Sequence, residues 1–92
     1  MILKLVFDKN SHNVFVPDNT IDICDSFLQK KFLDWVEEQP DCICERGGLM
    51  CLSYDENDFV RFINEIYLKD HREKSYVVDN SKHVRIKRVL TF

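Results

Sequence analysis

Glycine and proline are scarce in this chain, which has two of each among its 92 residues. This composition argues against intrinsic disorder and against a flexible linker, since both are usually rich in these residues. The two glycines are adjacent, at Gly47 and Gly48, so the spaced glycines of a phosphate-binding loop are missing. We therefore set aside the main nucleotide-binding signatures, expect no cofactor, and predict one folded domain over residues 1–92.

Long apolar runs are also missing from the chain. No run approaches the roughly 18 residues that a membrane-spanning helix needs. The apolar opening, residues 1–7, is short for a signal peptide and is followed at once by Asp8. We therefore expect no membrane association and a cytoplasmic location, where the reducing environment keeps thiols free.

Acidic side chains outnumber basic ones, and their distribution is uneven. Residues 1–81 carry nine Lys and Arg against sixteen Asp and Glu, whereas residues 82–92 carry four basic residues and no acid. An acidic body disfavours DNA or RNA as a partner, because binding to phosphates requires clustered positive charge. It suits a protein with a basic surface, because complementary charge speeds association.

Hydrophobic periodicity predicts six strands and two helices in the order ββαββαββ. Three hairpins are expected, over residues 1–16, 42–54 and 76–92, the second of them turning at Gly47-Gly48. The expected fold class is α+β, a small antiparallel sheet with two helices packed on one face. The opposite face of that sheet would then be open to a partner.

The start of the first helix admits two interpretations. Apolar residues recur at helical spacing up to Pro40, and Asp18 or Asn19 can cap a helix of about five turns. The competing interpretation is a strand over residues 20–24, with the helix starting at Asp25. We prefer the longer helix.

Three of the four cysteines, Cys42, Cys44 and Cys51, lie within ten residues of one another. In the predicted hairpin Cys44 faces Cys51, which leaves a redox pair open as an alternative. A zinc site usually has ligands in close pairs such as Cys-x2-Cys, a spacing that is missing here, so these three are only candidate metal ligands. The preferred interpretation is small apolar side chains, best represented by Cys24 on the stripe of the first helix. The core side of the hairpin is expected to carry the other set of residues, Ile43, Met50, Leu52 and Tyr54.

The preferred functional hypothesis is a small, acidic, non-enzymatic protein-binding module, since no nucleophile–base pair follows from residue spacing. We expect an inhibitor, immunity protein or adaptor that covers a basic surface of another protein. A phage or mobile-element inhibitor of a host nuclease, of the anti-CRISPR kind, fits this description. The candidate contact residues are acids in or near the two helices: Asp18, Asp22, Asp25, Asp34, Glu37, Glu38, Asp55, Glu56 and Asp58. Helix capping and dipole effects are the simpler explanation for the acids at helix starts.

The basic C-terminal segment supports an alternative function, nucleic-acid binding by a strand that carries Lys82, Arg85, Lys87 and Arg88. On such a strand apolar and basic residues would occupy opposite faces. The simpler interpretation is an edge strand whose charges prevent aggregation. Unpaired sheet edges and an open sheet face also allow a symmetric homodimer.

Overall fold

The fold is that of a computed structural model, which describes residues 1–79 and 83–92. Within these residues the elements follow the predicted order, and the α+β fold class is confirmed. The helices are α1 (Asp25–Glu37) and α2 (Glu56–Ile66), and a single 3-10 turn spans Pro40–Cys42. The strands are β1 (Ile2–Val6), β2 (Ser11–Phe15), β3 (Ile43–Arg46), β4 (Leu49–Leu52), β5 (Tyr76–Val78) and β6 (Ile86–Thr91).

Four strands form one sheet in the order β5-β2-β1-β6. The pairs β1–β2 and β2–β5 are antiparallel, whereas β6 runs parallel to β1, so the sheet is mixed. The last two strands do not form the expected hairpin, because each pairs with a different strand of the first hairpin. Alternation along a segment indicates a strand but carries no information on its partner.

Both helices pack on one face of this sheet, as predicted. In the strand register Leu3 lies opposite Val14 and Leu5 lies opposite Leu90, and all four side chains are fully buried. They share one core with buried side chains of the helices: Leu28, Phe32, Trp35, Val36, Phe59, Phe62 and Ile63.

Phe32 of α1 lies at the centre of the aromatic part of this core. Its ring centroid lies 5.3 to 5.5 Å from those of Tyr54, Phe59, Phe62 and Phe92. These contacts join α1 to α2, to the segment after β4 and to the residue after β6.

Helix α1 begins at Asp25, so the predicted start at Asp18 or Asn19 is wrong. Asn19 has a φ of 63°, which a residue of a right-handed helix cannot have. The competing interpretation gave the correct start, although residues 20–24 form no strand. Ile21 is nevertheless buried, because the loop packs on the core. Its position in the sequence happens to continue the helical spacing of the apolar residues in α1.

Strands β3 and β4 form a separate two-stranded sheet with the register predicted from the Gly47-Gly48 turn. The φ angles of Gly47 and Gly48 are 56° and 82°, which a type I′ turn requires and which favour glycine. Of the expected core side of this hairpin, Tyr54 packs against the core and Ile43 is half-buried. The expectation is wrong at Met50 and Leu52, which are exposed. Neither helix covers them, and local alternation could not reveal that.

Replacing Phe32 by alanine should lower the free energy of unfolding by about 3–5 kcal/mol, because the change leaves a cavity among packed rings. Phe27→Ala is the matched control in the same helix, since Phe27 is 62% exposed. We expect it to change stability by no more than about 0.5 kcal/mol. Equilibrium urea unfolding measures both, and equal losses would contradict the assigned core.

Candidate protein-interaction surface

The β3–β4 hairpin carries the most exposed large apolar side chains among the described residues. Leu49 and Met50, directly after the turn, are each 71% exposed. We call residues 43–52 the hairpin arm. Grouped apolar side chains in contact with water are typical of interaction sites.

One face of the hairpin arm lies beside the C-terminal end of α1. The register places Ile43, Met50 and Leu52 on this face. Together with Glu37 of α1 and Cys51 they line an open groove of about 250 Å³. The groove is shallow and apolar at its floor, a shape that suits a protruding side chain of a partner.

Four carboxylates lie at the end of α1 or on the hairpin arm: Asp34, Glu37, Glu38 and Glu45, which we call the acidic rim. Glu37 lines the groove. All four are exposed, and none forms an ion pair within residues 1–79 and 83–92. The last turn of α1 contains no basic residue. Since the C-terminal end of a helix is the negative end of its dipole, acids there destabilise the helix by about 0.3–1 kcal/mol each. Helix stability therefore does not explain the three acids of the rim that lie at the end of α1.

Two of the predicted contact acids have partners elsewhere in the chain. Asp18 lies 2.9 Å from the amino group of Met1, which lowers the pKa of that carboxyl by hydrogen bonding and charge. Asp25 accepts a hydrogen bond of 2.6 Å from Nε of Arg88. Both acids are engaged in the fold.

The acids at the start of α2 form a capping box, as the simpler interpretation predicted. Asp55 accepts hydrogen bonds from the backbone N–H groups of Asn57 and Asp58, and the Asp58 carboxylate accepts one from the N–H of Asp55. Glu56 lies 3.6 Å from Nε2 of His12. Of the predicted acids, Asp34, Glu37 and Glu38 thus belong to the acidic rim, and Glu37 is the one that lines the groove. Asp22 is exposed elsewhere.

The basic segment does not form one continuous face within the described residues. Arg88 is held by the ion pair to α1, and Lys87 falls at a register irregularity between β1 and β6, on the side of Asp18. Arg85 is exposed and precedes the strand. Lys82 lies outside the described residues.

Arg61 of α2 holds the base of the hairpin arm. Its guanidinium donates to both carboxylate oxygens of Asp41, at 2.8 and 3.2 Å, and lies 4.9 Å from the ring centroid of Trp35. The hydrogen bond lowers the pKa of Asp41. This bidentate pair connects both helices to the turn that precedes β3.

The three clustered cysteines do not converge on one point as metal ligands would. Cys42 is 1% exposed and turned into the core, whereas Cys44 and Cys51 lie on the hairpin arm. Ligand atoms of Asp41, Cys42 and Asp58 do lie within 4.8 Å of one another. Arg61 supplies the positive charge there, since its guanidinium contacts both carboxylates.

Cys24 and Cys42 differ in acidity because their surroundings differ. Cys24 is exposed just before α1, and hydrogen bonds from the Ser26 hydroxyl and from the Phe27 backbone lower its pKa. Burial raises the pKa of Cys42, and the nearby carboxylates of Asp58 and Asp41 add to the effect. The expectation that Cys24 is the buried cysteine is therefore wrong, a consequence of the misplaced helix start.

The sheet face opposite the helices is a second, less suitable surface. Ile2, Phe15, Tyr76 and Ile86 form one row across its four strands. Lys4 lies on the next row, and none of the four strands contains a carboxylate. A symmetric contact through this face would bring two lysines together without a counter-charge, which disfavours it.

Comparisons with protein-family models, with curated proteins and with solved structures found no match. In the described part of the chain, neither helix has the length and apolar character needed to cross a bilayer. Function is therefore inferred from the geometry of the hairpin arm and the acidic rim.

Alkylation of the folded protein should modify Cys24 first and Cys42 last. The lowered pKa of Cys24 keeps more of it as reactive thiolate at a given pH, whereas Cys42 is buried with a raised pKa. Brief iodoacetamide treatment followed by peptide mass spectrometry measures the order, and urea-unfolded protein is the control. Equal labelling of these two thiols in the folded protein would contradict the assigned environments.

Proposed function

We propose that this chain is a small, acidic, non-enzymatic protein-binding module, and that its contact surface is the hairpin arm with the acidic rim. One observation carries the proposal: exposed apolar side chains lie beside carboxylates that have no ion-pair partner within the described residues. The matching partner surface is an apolar depression surrounded by lysine and arginine. Complementary charge then guides the encounter, and apolar contacts hold the complex.

The free energies of side-chain burial and of binding define how large the contact must be. Full burial of Leu49 and Met50, which form the apolar tip of the hairpin arm, contributes about 1.5–3 kcal/mol each. A dissociation constant of 1 μM corresponds to about 8 kcal/mol, before the entropy lost on association is counted. The tip alone is therefore too small, and the contact must extend along the groove to the end of α1.

A binding role is also supported by the character of a second groove, which runs along α1. This groove, of about 550 Å³, is lined by Ser26, Lys30, Asp34, Glu37 and neighbouring residues, and by no histidine or cysteine. The printed geometry pairs the Ser26 hydroxyl with the Cys24 thiol, at 3.3 Å, and not with an amine or carboxylate of this lining that would activate it. The groove favours contact with a partner over catalysis.

Within this class we propose an inhibitor, immunity protein or adaptor acting in the cytoplasm. A nuclease is a suitable target, because its nucleic-acid-binding surface is basic. The most specific form of this proposal is therefore a mobile-element inhibitor of a host nuclease. Nucleic-acid binding through the C-terminal strand has less support, since Arg88 is paired with Asp25. A metal-responsive role has less support too, since Cys42 is buried.

Replacement of the two apolar tip residues by serine should abolish partner binding. The immobilised protein is used to capture proteins from a lysate of its source, in parallel with the Leu49→Ser/Met50→Ser variant. Val89→Ser is the matched control, because Val89 is 49% exposed on β6 in the other sheet. We expect one protein with a basic surface to be retained by wild type and control and lost with the tip variant. Equal retention by the tip variant would contradict the proposal, and so would capture of nucleic acid alone.

Reversal of the rim charges should move stability and binding in opposite directions. Glu37→Lys and Glu38→Lys place positive charge at the negative end of the α1 dipole, which should stabilise the fold by about 0.5 kcal/mol per site. The same changes should weaken capture of the partner and flatten its dependence on salt. Asp70→Lys with Glu73→Lys, exposed acids beyond the far end of α2, is the charge-matched control.

Urea unfolding and capture at low and high salt give the two readouts. A variant that gains stability but still binds as wild type would exclude the acidic rim from the contact. A variant that loses stability would contradict the dipole explanation.

A further inference from the structure

We propose that Cys44 and Cys51 are an oxidisable dithiol, whose disulfide locks the hairpin arm in its binding shape. The chemistry of this modification site is independent of the partner. Its consequence for binding rests on the proposed function.

The register brings the two thiols together. Cys44 lies directly opposite Cys51, so both side chains point to the same face of the hairpin. The N–H of Ser53 donates to the carbonyl of Cys42 at 2.7 Å, which marks that neighbouring pair as hydrogen-bonded. Hydrogen-bonded pairs recur at every second position, so Cys44 and Cys51 also form one, with Cα atoms about 5.5 Å apart. This Cα separation lies within the range that disulfides bridge. The Cβ atoms of a hydrogen-bonded pair lie about 5.5 Å apart, so they move about 1–2 Å closer when the bridge forms.

Both thiols are free and accessible to a small oxidant. Cys51 is exposed and Cys44 is half-buried, whereas Cys42, just before the hairpin arm, is buried. Cys42 is therefore protected, and the reactive pair on the arm consists of two thiols that face each other.

A crosslink can also restrict the conformations of the hairpin arm. It pairs with no strand of the four-stranded sheet, and an isolated two-stranded hairpin is only marginally stable in water. A bridge across the Gly47-Gly48 turn removes open conformations of the arm. The apolar tip is then held in place before the partner arrives, which lowers the entropy lost on binding.

The oxidant is a small-molecule disulfide such as glutathione disulfide. The Cys51 thiolate attacks one sulfur of this disulfide, forms a mixed disulfide and releases one thiolate. The Cys44 thiolate then attacks the Cys51 sulfur and releases the second. Two cysteine thiols are oxidised, one disulfide is reduced to two small thiols, and these take up the two protons.

The full chain with Cys24→Ser, which removes the exposed thiol before α1, is equilibrated in glutathione buffers of increasing oxidised fraction. Remaining thiols are blocked, and peptide mass spectrometry identifies the products. We expect one internal disulfide joining Cys44 to Cys51, with Cys42 still reduced. A persistent glutathione adduct on Cys51, or disulfides between molecules, would overturn the dithiol.

Amide hydrogen exchange of the same samples tests the lock. Exchange within the hairpin arm should slow at least about tenfold on oxidation, while that of β1 stays unchanged. The Cys44→Ser/Cys51→Ser variant is the control and should not respond to the buffer. An internal disulfide without slower exchange of the arm would overturn the lock.

Capture of the partner separates this inference from the proposed function. Oxidised protein should bind more tightly than reduced protein, and the double-serine variant should bind as the reduced form does. Equal binding of oxidised and reduced protein would overturn the regulatory consequence. Loss of binding in all forms, with the disulfide and slow exchange intact, would contradict the proposed function and leave the dithiol established.

Discussion

The packing of this small protein depends on the ring of Phe32. Side chains from α1, from α2, from the segment after β4 and from beyond β6 meet around it. A chain of 92 residues can build one such centre and has little apolar surface left for a second. The hairpin arm lies outside it, attached at its base by the pair between Arg61 and Asp41. Its apolar tip is thus free of any role in the core, which is why we assign it to a partner.

The position of a carboxylate in a helix decides whether it stabilises the fold or is left available to a partner. At the start of α2, Asp55 and Asp58 satisfy backbone N–H groups and favour the helix dipole. At the end of α1, Glu37 and Glu38 face the unfavourable end of the dipole and have no ion pair within the described residues. A carboxylate is thus stabilising in one place and destabilising in the other, so charge counts alone cannot separate structural from contact acids.

Features that depend on local chemistry were predictable from the sequence, and features that depend on tertiary contacts were not. The register of the hairpin arm follows from the Gly47-Gly48 turn, and the cap of α2 follows from Asp55. The start of α1 was misplaced because Ile21 packs on the core from a loop, and the partners of β5 and β6 are set by distant strands. Part of the acidic rim was predicted, whereas Met50 was assigned to the core because alternation does not show which face a helix covers.

If the hairpin arm touches the partner, site-specific photo-crosslinking in the source cells should join the two covalently. A photoreactive amino acid is placed at Met50, and in a separate variant at Tyr76, which is 56% exposed on the four-stranded sheet. We expect a covalent adduct with one basic protein from position 50 and none from position 76. Adducts from position 76 alone, or the same adducts from both positions, would contradict it.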